Sequence, residues 1–313
     1  MSHEVPGLAL LRGAIDTHVH CAPHLNGRSV NVFSAVRQAA AAGMRAIGIM
    51  CNFQNTSGFA ALANAELGEL GCEAFGGLIM QPVAGGVTLE AAKAAIGYGY
   101  GPGTGARFVS LPTHHTRYIA EKEGRSPAFL EATFQVPPNG KIPDPVPAIM
   151  DLCAQRDVVF DCGHVSGPEA VALIEEAQRR GVRRLRVHGG RYSPDAIEAV
   201  TRMGAFVEFS FFVLTHATQV ALTHVDEEKH KGASSSSIQD YVAGIRAAGG
   251  RAILSSDSGV YLLPPPVEAL REYVMLAQSQ GFAEAEVSRM IRDNPAELFG
   301  IALDRAPPPT GLS

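Results

Sequence analysis

The chain contains 313 residues, of which 46% are hydrophobic and 18% are charged, and its formal net charge is −5. Such a chain can bury a large core, and its acidic balance argues against nucleic-acid binding through a concentrated basic surface. No apolar run reaches the roughly 18 residues that a membrane span needs. Residues 1–12 lack a signal-peptide pattern, and the five cysteines show no CxxC spacing. We therefore expect a reduced, cytoplasmic protein without a membrane partner.

Short apolar runs alternate with helix-like segments along the chain. The predicted strands are residues 14–18, 45–50, 73–80, 107–111, 158–162, 184–187, 205–211 and 252–255. The predicted helices are residues 30–42, 60–70, 89–96, 146–155, 168–180, 194–203, 238–248 and 267–280. Eight strand–helix units indicate an α/β protein of the (β/α)8 TIM-barrel type, with a doubly wound open sheet as the alternative.

The barrel is predicted to be a single domain of residues 13–300, between an N-terminal arm (1–12) and a C-terminal tail (301–313). Two insertions interrupt the pattern, at residues 113–145 after strand four and 212–237 after strand seven. Both follow the carboxyl ends of strands, where barrel loops build active sites. We interpret them as walls or lids of a pocket. For the second, a surface excursion is an equal alternative because its serine-rich part resembles a flexible linker.

The first strand ends in an HxH motif. Residues two apart in a strand face the same side, so His18 and His20 are predicted to point into the barrel. The same alternation directs Thr17 and Val19 toward the helices. Two neighbouring neutral imidazoles suit Zn²⁺ or a similar ion.

Three further candidate ligands occupy the same place in other units. His164, His188 and Asp257 each follow an apolar run directly and precede small residues. Each is therefore predicted to lie at the carboxyl rim of its strand. Isolated histidines are usually structural, but equivalent rim positions on strands one, five, six and eight indicate a shared metal site.

These residues, together with the C-terminal segment NPAELFG at 294–300, resemble the amidohydrolase superfamily of metal-dependent TIM-barrel hydrolases. The similarity covers residues 13–300, and the opening around Arg28 resembles a poorly characterised branch. The resemblance implies a divalent ion, Zn²⁺ first and Mn²⁺ or Fe²⁺ as alternatives. It implies the following site: His18, His20 and His164 as ligands, His188 as a ligand or as the residue that polarises the substrate carbonyl, and Asp257 as a ligand that also moves a proton.

The fourth strand departs from the superfamily pattern. Many members carry a carboxylated lysine there that bridges two metals, whereas this strand runs into His114 and His115 without a lysine. We therefore expect one ion. Two ions are the alternative if one of these histidines is a ligand, since imidazole suits such metals. Otherwise the pair is predicted to contact substrate or solvent.

Loop residues suggest what the substrate carries. His24 and Arg28 follow strand one and Arg191 follows His188, and a guanidinium at the rim binds a carboxylate through two hydrogen bonds. An anionic group on the substrate is therefore predicted, with an exposed arginine as the alternative. Glu208 could face inward on strand seven, where pairing with a barrel arginine is the simplest account.

The leading interpretation is a metal-dependent hydrolase that cleaves an amide, cyclic amide or lactone bond of a small molecule. A nonoxidative decarboxylase of an aromatic or conjugated acid is the alternative, because Asp16 stands two residues before the first histidine. A noncatalytic ligand-binding barrel is the third hypothesis, and Asp257 argues against it because a binder needs no proton shuttle. We also expect a homo-oligomer.

Overall fold

Eight short strands, each parallel to the next in chain order, form a barrel in the computed structural model. The structure describes residues 5–99, 104–137, 141–220 and 232–304. A parallel bridge between Val19 and Ser258 joins the first strand to the end of the last. The strands are β1 Ile15–Val19, β2 Ala46–Ile49, β3 Glu73–Ile79, β4 Phe108–Ser110, β5 Val159–Asp161, β6 Leu185–His188, β7 Phe206–Ser210 and β8 Ala252–Ser255. The predicted (β/α)8 barrel is confirmed, and the sequential strand order rules out the doubly wound alternative.

Helices follow the strands. They are α1 Val32–Ala41, α2 Ser57–Leu67, α3 Leu89–Gly97, α4 Arg117–Lys122, α5 Pro127–Glu131, α6 Val146–Arg156, α7 Gly167–Arg179, α8 Pro194–Arg202, α9 Phe211–Leu214, α10 Ile238–Ala248, α11 Pro266–Ser279, α12 Glu284–Ser288 and α13 Asn294–Phe299, with a π-helical turn at Arg289–Asp293. All eight predicted helices are present, and the largest displacement is that of α2. Within the described ranges, no helix combines the length and apolar character that crossing a bilayer requires.

Both predicted insertions contain short helices. The first contains α4 and α5, whose N-caps are Thr116 and Ser126. Helices this short show too little periodicity to be recognised in a sequence. The second begins with α9 and a 3-10 turn at His216–Gln219. Its predicted charged run and the histidines at 224 and 230 lie outside the described residues.

The lower end of the barrel interior is apolar and closed. Inward side chains of the strands form one cluster with the C-terminal segment that includes α13: Ile15, Phe75, Phe108, Val159, Phe206, Ile253, Leu298, Phe299 and Ile301. The ring of Phe299 lies 4.5 Å from that of Phe75. Asn294 donates through Nδ2 to the carbonyl of Ala252 at 2.7 Å. The NPAELFG segment is therefore a plug, and burying its large apolar side chains stabilises the fold by about 1.5–3 kcal/mol each.

The first strand is irregular. Its pairing register with β2 shifts between Asp16 and Val19. As a result, Thr17 and His18, although adjacent, contact the two oxygens of the same Glu208 carboxylate, at 2.9 and 2.7 Å. The prediction that Thr17 faces the helices was wrong, because strict alternation fails across a bulge. The bulge brings two consecutive side chains to the barrel interior.

Candidate metal centre

Two histidines and one aspartate converge at the mouth of the barrel. His18 Nε2 lies 3.3 Å from Asp257 Oδ1, and His20 Nε2 lies 3.1 Å from the same oxygen. The side chains are 5%, 10% and 14% exposed for His18, His20 and Asp257. We call these three residues the mouth triad. Two ring nitrogens and a carboxylate oxygen at one point are a donor set suited to a divalent cation.

The local backbone explains this convergence. The amide of His20 donates to the carbonyl of Ser258 at 2.8 Å, so the ends of β1 and β8 are fixed together. Asp257 adopts a left-handed conformation with φ 48°. Gly259 has φ 116°, and a Cβ there would lie 1.7 Å from the carbonyl oxygen of His20. Only glycine allows this approach, which places the Asp257 loop directly on the HxH motif.

A buried carboxylate sets the orientation of His18. Because a carboxylate can only accept, His18 Nδ1–H donates to Glu208 Oε1 at 2.7 Å. In a neutral His18, the form that binds a metal, Nε2 is then the lone-pair nitrogen, and it is the atom that faces Asp257. A carboxylate behind a ligand imidazole is a common feature of metal sites.

A fully buried arginine neutralises the carboxylates under the mouth triad. Arg186 is 0% exposed. Its Nε donates to Asp161 Oδ2 at 2.6 Å, and its Nη1 donates to Glu208 Oε2 at 3.1 Å. Burial alone would raise the pKa of Glu208, but Arg186 and His18 outweigh it and hold that pKa well below its usual value. The predicted pairing of Glu208 with a barrel arginine is therefore observed.

The position of His188 differs from that of the mouth triad. Its Nε2 lies 3.1 Å from Asp161 Oδ2, and its Nδ1 lies 3.6 Å from Glu208 Oε1. Both ring nitrogens thus face carboxylates, those of Asp161 and Glu208. His18, His188 and Glu208 form a second group whose ligand atoms lie within 4.8 Å of one another. A cation in that group would lie beside the Arg186 guanidinium and be repelled by it, so the mouth triad is the better cation site.

The mouth triad opens into a small cavity of about 120 Å³ that is also lined by Arg28, His114, His164 and Arg191. The ring of His164 lies 5.0 Å from that of His188, and the His114 ring lies 6.2 Å from that of His164. Within the described part of the chain, His164 belongs to neither group of converging ligand atoms. The left-handed Gly163 (φ 63°) lets the chain turn so tightly that a Cβ there would lie 2.2 Å from the Pro112 carbonyl oxygen.

The electrostatics of the mouth favour positive charge. Burial lowers the pKa of His18, but Asp257 and Glu208 outweigh it and raise the pKa to about 9. Burial also opposes ionisation of Asp257, yet the nearby His18 and His20 lower its pKa to about 2. Burial lowers the pKa of His164 far below its usual value, so this imidazole is neutral.

The remaining candidate residues, His114, His115 and Asp16, are not part of the mouth triad. His114 Nδ1 lies 3.0 Å from Glu123 Oε1 on the cavity wall, whereas the ring of His115 packs on Phe129 at 4.6 Å and does not line this cavity. The carboxylate of Asp16 accepts from the amides of Ser256 at 3.0 Å and His18 at 3.3 Å. Both amides contact Oδ1, whereas the buried Oδ2 has no hydrogen-bond partner, and Asp16 does not line the cavity.

Asp161 and Arg186 were not identified in the sequence. Arg186 stands two residues before His188 on β6, so alternation places both side chains on the inner face. Asp161 ends β5, and the sequence offered no reason to separate it from a buried acid with backbone partners. The alternation at Arg186 was the available signal.

The fold of this chain is similar to that of several solved hydrolase structures. Solved structures with a similar fold include an amidohydrolase from Pseudomonas aeruginosa (12% identity, TM-score 0.58, 94% of this chain and 98% of that one). They also include the phosphotriesterase homology protein from Escherichia coli (17%, 0.55, 92% and 99%) and an organophosphorus hydrolase from Deinococcus radiodurans (16%, 0.52, 95% and 94%). The predicted resemblance to the amidohydrolase superfamily is confirmed for the fold. No curated protein matches the chain. A model described as a family of unknown function, DUF6282, matches residues 13–208, more than half of the chain, and the protein therefore belongs to the DUF6282 family.

Proposed function

We propose that the protein is a metal-dependent hydrolase whose cation is held by His18, His20 and Asp257. The observation that supports this most directly is the spacing of the donor atoms, 3.1 and 3.3 Å from Asp257 Oδ1 to the two imidazole nitrogens. Ligands held about 2.0–2.1 Å from zinc in a tetrahedron are roughly 3.3 Å apart. The residues present therefore fit a single zinc ion, and Mn²⁺ or Fe²⁺ would accept the same donors.

Such a cation, when bound, supplies Lewis acidity toward water and toward the carbonyl under attack. Asp257 then acts as the general base that takes a proton from the attacking water and returns it to the leaving group. His164 is a neutral imidazole that lines the cavity. It is placed to contact the substrate carbonyl, while Asp161 and Glu208 hold the ring of His188 beside it.

The size of the cavity limits the substrate to a small molecule. We infer that the bond cleaved is an amide, cyclic amide or lactone bond, in keeping with solved structures of the same fold that are named amidohydrolase and organophosphorus hydrolase. The decarboxylase alternative rested on an acid at Asp16 that reaches the site. Because Asp16 Oδ1 accepts from backbone amides and Asp16 does not line the cavity, the cavity geometry favours the hydrolase.

The test is a screen of small amides and lactones with zinc-loaded protein, repeated after chelation. We expect activity that chelation removes and zinc restores. Asp257→Asn should keep much of the zinc and lose about 10²–10⁴-fold in kcat, the usual contribution of a general base. A fully active Asp257→Asn variant, or activity that survives complete chelation, would contradict the proposed function.

A further inference from the structure

The guanidinium of Arg28 is incompletely paired at the wall of the cavity. Its Nη1 donates to the carbonyl of Gly27 at 3.1 Å, and its Nη2 lies 2.8 Å from His24 Nε2. Its Nε is buried and has no hydrogen-bond partner. Among the described residues, Arg28 forms no ion pair with a carboxylate, whereas Arg186 in the same barrel forms two.

Two N–H donors approach the ring of His24. The amide of Asn26 lies 3.0 Å from His24 Nδ1, and Arg28 Nη2 lies 2.8 Å from His24 Nε2. A neutral imidazole has one lone-pair nitrogen and one N–H, so His24 can accept from only one of them. The other donor is left facing an N–H group of the ring. An imidazolium would be worse, because both of its nitrogens donate.

The unmatched edge of Arg28 has a defined shape. The Nε and Nη2 groups of a guanidinium lie on one edge and donate in parallel, which matches the two oxygens of a carboxylate. Of these two donors, Nε has no partner, and Nη2 competes with the Asn26 amide for the single lone pair of His24. The third nitrogen, Nη1, lies off this edge and already donates to the carbonyl of Gly27. A single planar anion would supply the two acceptor oxygens that this edge of Arg28 lacks.

We propose that Arg28 binds a carboxylate of the substrate, which displaces His24 from the Nε–Nη2 edge. His24 then keeps its lone pair at Nδ1 for the Asn26 amide and donates from Nε2–H to the same carboxylate. Arg28 Nε thereby gains an acceptor, and the competition between two donors for His24 ends. The inference rests on the proposed function for the identity of the bond cleaved, and it adds the class of substrate.

The position of Arg28 relative to the mouth triad narrows that class further. The amide of Ser29 donates to the carbonyl of Gly259 at 2.8 Å, and Arg28 bridges Val260. The Arg28 loop is thus attached to the loop that contains Asp257. The rings of His24 and His20 are 6.3 Å apart. The substrate therefore has its carboxylate a few bonds from the amide or lactone that is cleaved, as in an N-acyl amino acid.

Arg191 is not equivalent to Arg28, although it lines the same cavity. Its Nη1 donates to the carbonyl of Ser234 at 2.5 Å, and its own carbonyl accepts from the Tyr118 hydroxyl at 3.1 Å. Arg191 is thus held by backbone and side-chain partners of the two insertions. We assign the carboxylate to Arg28 alone.

The experiment measures binding in the metal-free full chain, so that its result is independent of the proposed metal chemistry. Calorimetry would compare glutarate, its neutral analogue glutaramide and inorganic phosphate for the wild type, Arg28→Met, Arg28→Lys and Arg37→Met. Arg37→Met is the matched control, because it removes the same charge from an exposed position of α1. Circular dichroism checks that each variant is folded.

We expect glutarate to bind the wild type and Arg37→Met equally, and Arg28→Met at least about ten-fold more weakly, as the loss of a charge-assisted pair requires. Arg28→Lys should be intermediate because it keeps the charge and loses the edge. Equal glutarate affinity of Arg28→Met and the wild type would overturn the proposal. So would absence of glutarate binding, or phosphate or glutaramide binding as tight as that of glutarate. If zinc titration failed while this result held, only the proposed function would fall.

Discussion

The lower and upper halves of the barrel interior are built on opposite principles. The lower half is an apolar cluster closed by α13, in which Phe299 is 3% exposed. The upper half contains the buried ions Arg186, Asp161 and Glu208 together with the mouth triad. The lower half gains stability from apolar burial. In the upper half, Arg186, Asp161 and Glu208 are also buried, and each of these charges must be paired to avoid a large desolvation penalty.

The two halves differ from the cavity wall in that their charged and apolar groups are already paired or packed. Arg186 satisfies the two carboxylates below the mouth triad, and the apolar layer is packed and closed. Two features at the cavity call for a further group: the converging donors of the mouth triad and the donor edge of Arg28. The following predictions separate the two halves, from the largest expected effect to the smallest.

Removing the buried arginine should be the most damaging change. Arg186→Met leaves Asp161 and Glu208 facing one another without a cation, and breaking a buried pair in this way costs about 3–5 kcal/mol. The free energy of unfolding from urea titration measures it. Arg183→Met, whose ion pair with Asp157 is exposed, should cost less than about 1 kcal/mol. Equal costs for the two variants would show that the upper half does not depend on charge pairing.

The plug should affect stability without affecting metal binding. Phe299→Ala removes a buried ring from the lower cluster, which costs about 3–5 kcal/mol of unfolding free energy when the cavity persists. Its zinc affinity, measured by competition with a chelator under folding conditions, should equal that of the wild type. Leu303→Ala is the control, because Leu303 is 41% exposed. A large loss of zinc affinity in Phe299→Ala would mean that the two halves are coupled.

Glu208→Gln should weaken zinc binding, the property that Phe299→Ala is expected to leave unchanged. Gln can still accept from His18 Nδ1, but it removes the negative charge behind that imidazole, and such a loss typically weakens metal binding by about 10–100-fold. The same chelator competition measures it, with the exposed Glu198→Gln as control. Unchanged zinc affinity would argue that His18 is not a ligand oriented by Glu208.

The smallest expected effect is that of removing the ion pairs of Asp157 at the lower rim of the barrel. Arg184 bonds both Asp157, at 2.9 Å, and the carbonyls of Glu297 and Leu298 in α13. The hydrogen bond from Arg184 holds the pKa of Asp157 below its usual value. Its stabilising contribution is thus present above the unfolded pKa and is lost as pH falls through the lower folded pKa.

Asp157→Asn tolerates the left-handed backbone at this position (φ 53°) and removes only the ion pairs, so it should cost about 0.2–1 kcal/mol at pH 7. Thermal unfolding at pH 7 and at about pH 2.5, well below the ordinary carboxyl pKa, measures the difference. A destabilisation of equal size at both pH values would rule out the ion pairs as its cause.

The sequence was sufficient for the barrel because its signals are local. Each apolar run and helix period is contained in a single element, so the eight strands and the eight main helices were predicted. The rim positions of His18, His20 and Asp257 followed from the strand ends. Their approach to one another required only that parallel strands end on the same face.

The rest depends on geometry that no local pattern encodes. The bulge in β1 turns Thr17 inward beside His18, which strict alternation does not predict. The turn at Gly163 ends β5 at Asp161, one residue before the predicted end. The pairing of Asp161 with Arg186 joins residues of different strands. The donor conflict between His24 and Arg28 is visible only once both side chains are placed.

Zinc content tests the central claim most directly. The wild type, His18→Ala and His216→Ala would be dialysed against zinc and analysed by mass spectrometry for metal per chain. His216 is an exposed histidine in a 3-10 turn and serves as the control. The account predicts about one zinc ion in the wild type and in His216→Ala, and close to none in His18→Ala, because a catalytic site of three protein ligands does not retain the ion with two. Equal zinc in His18→Ala and the wild type, or none in the wild type, would contradict it.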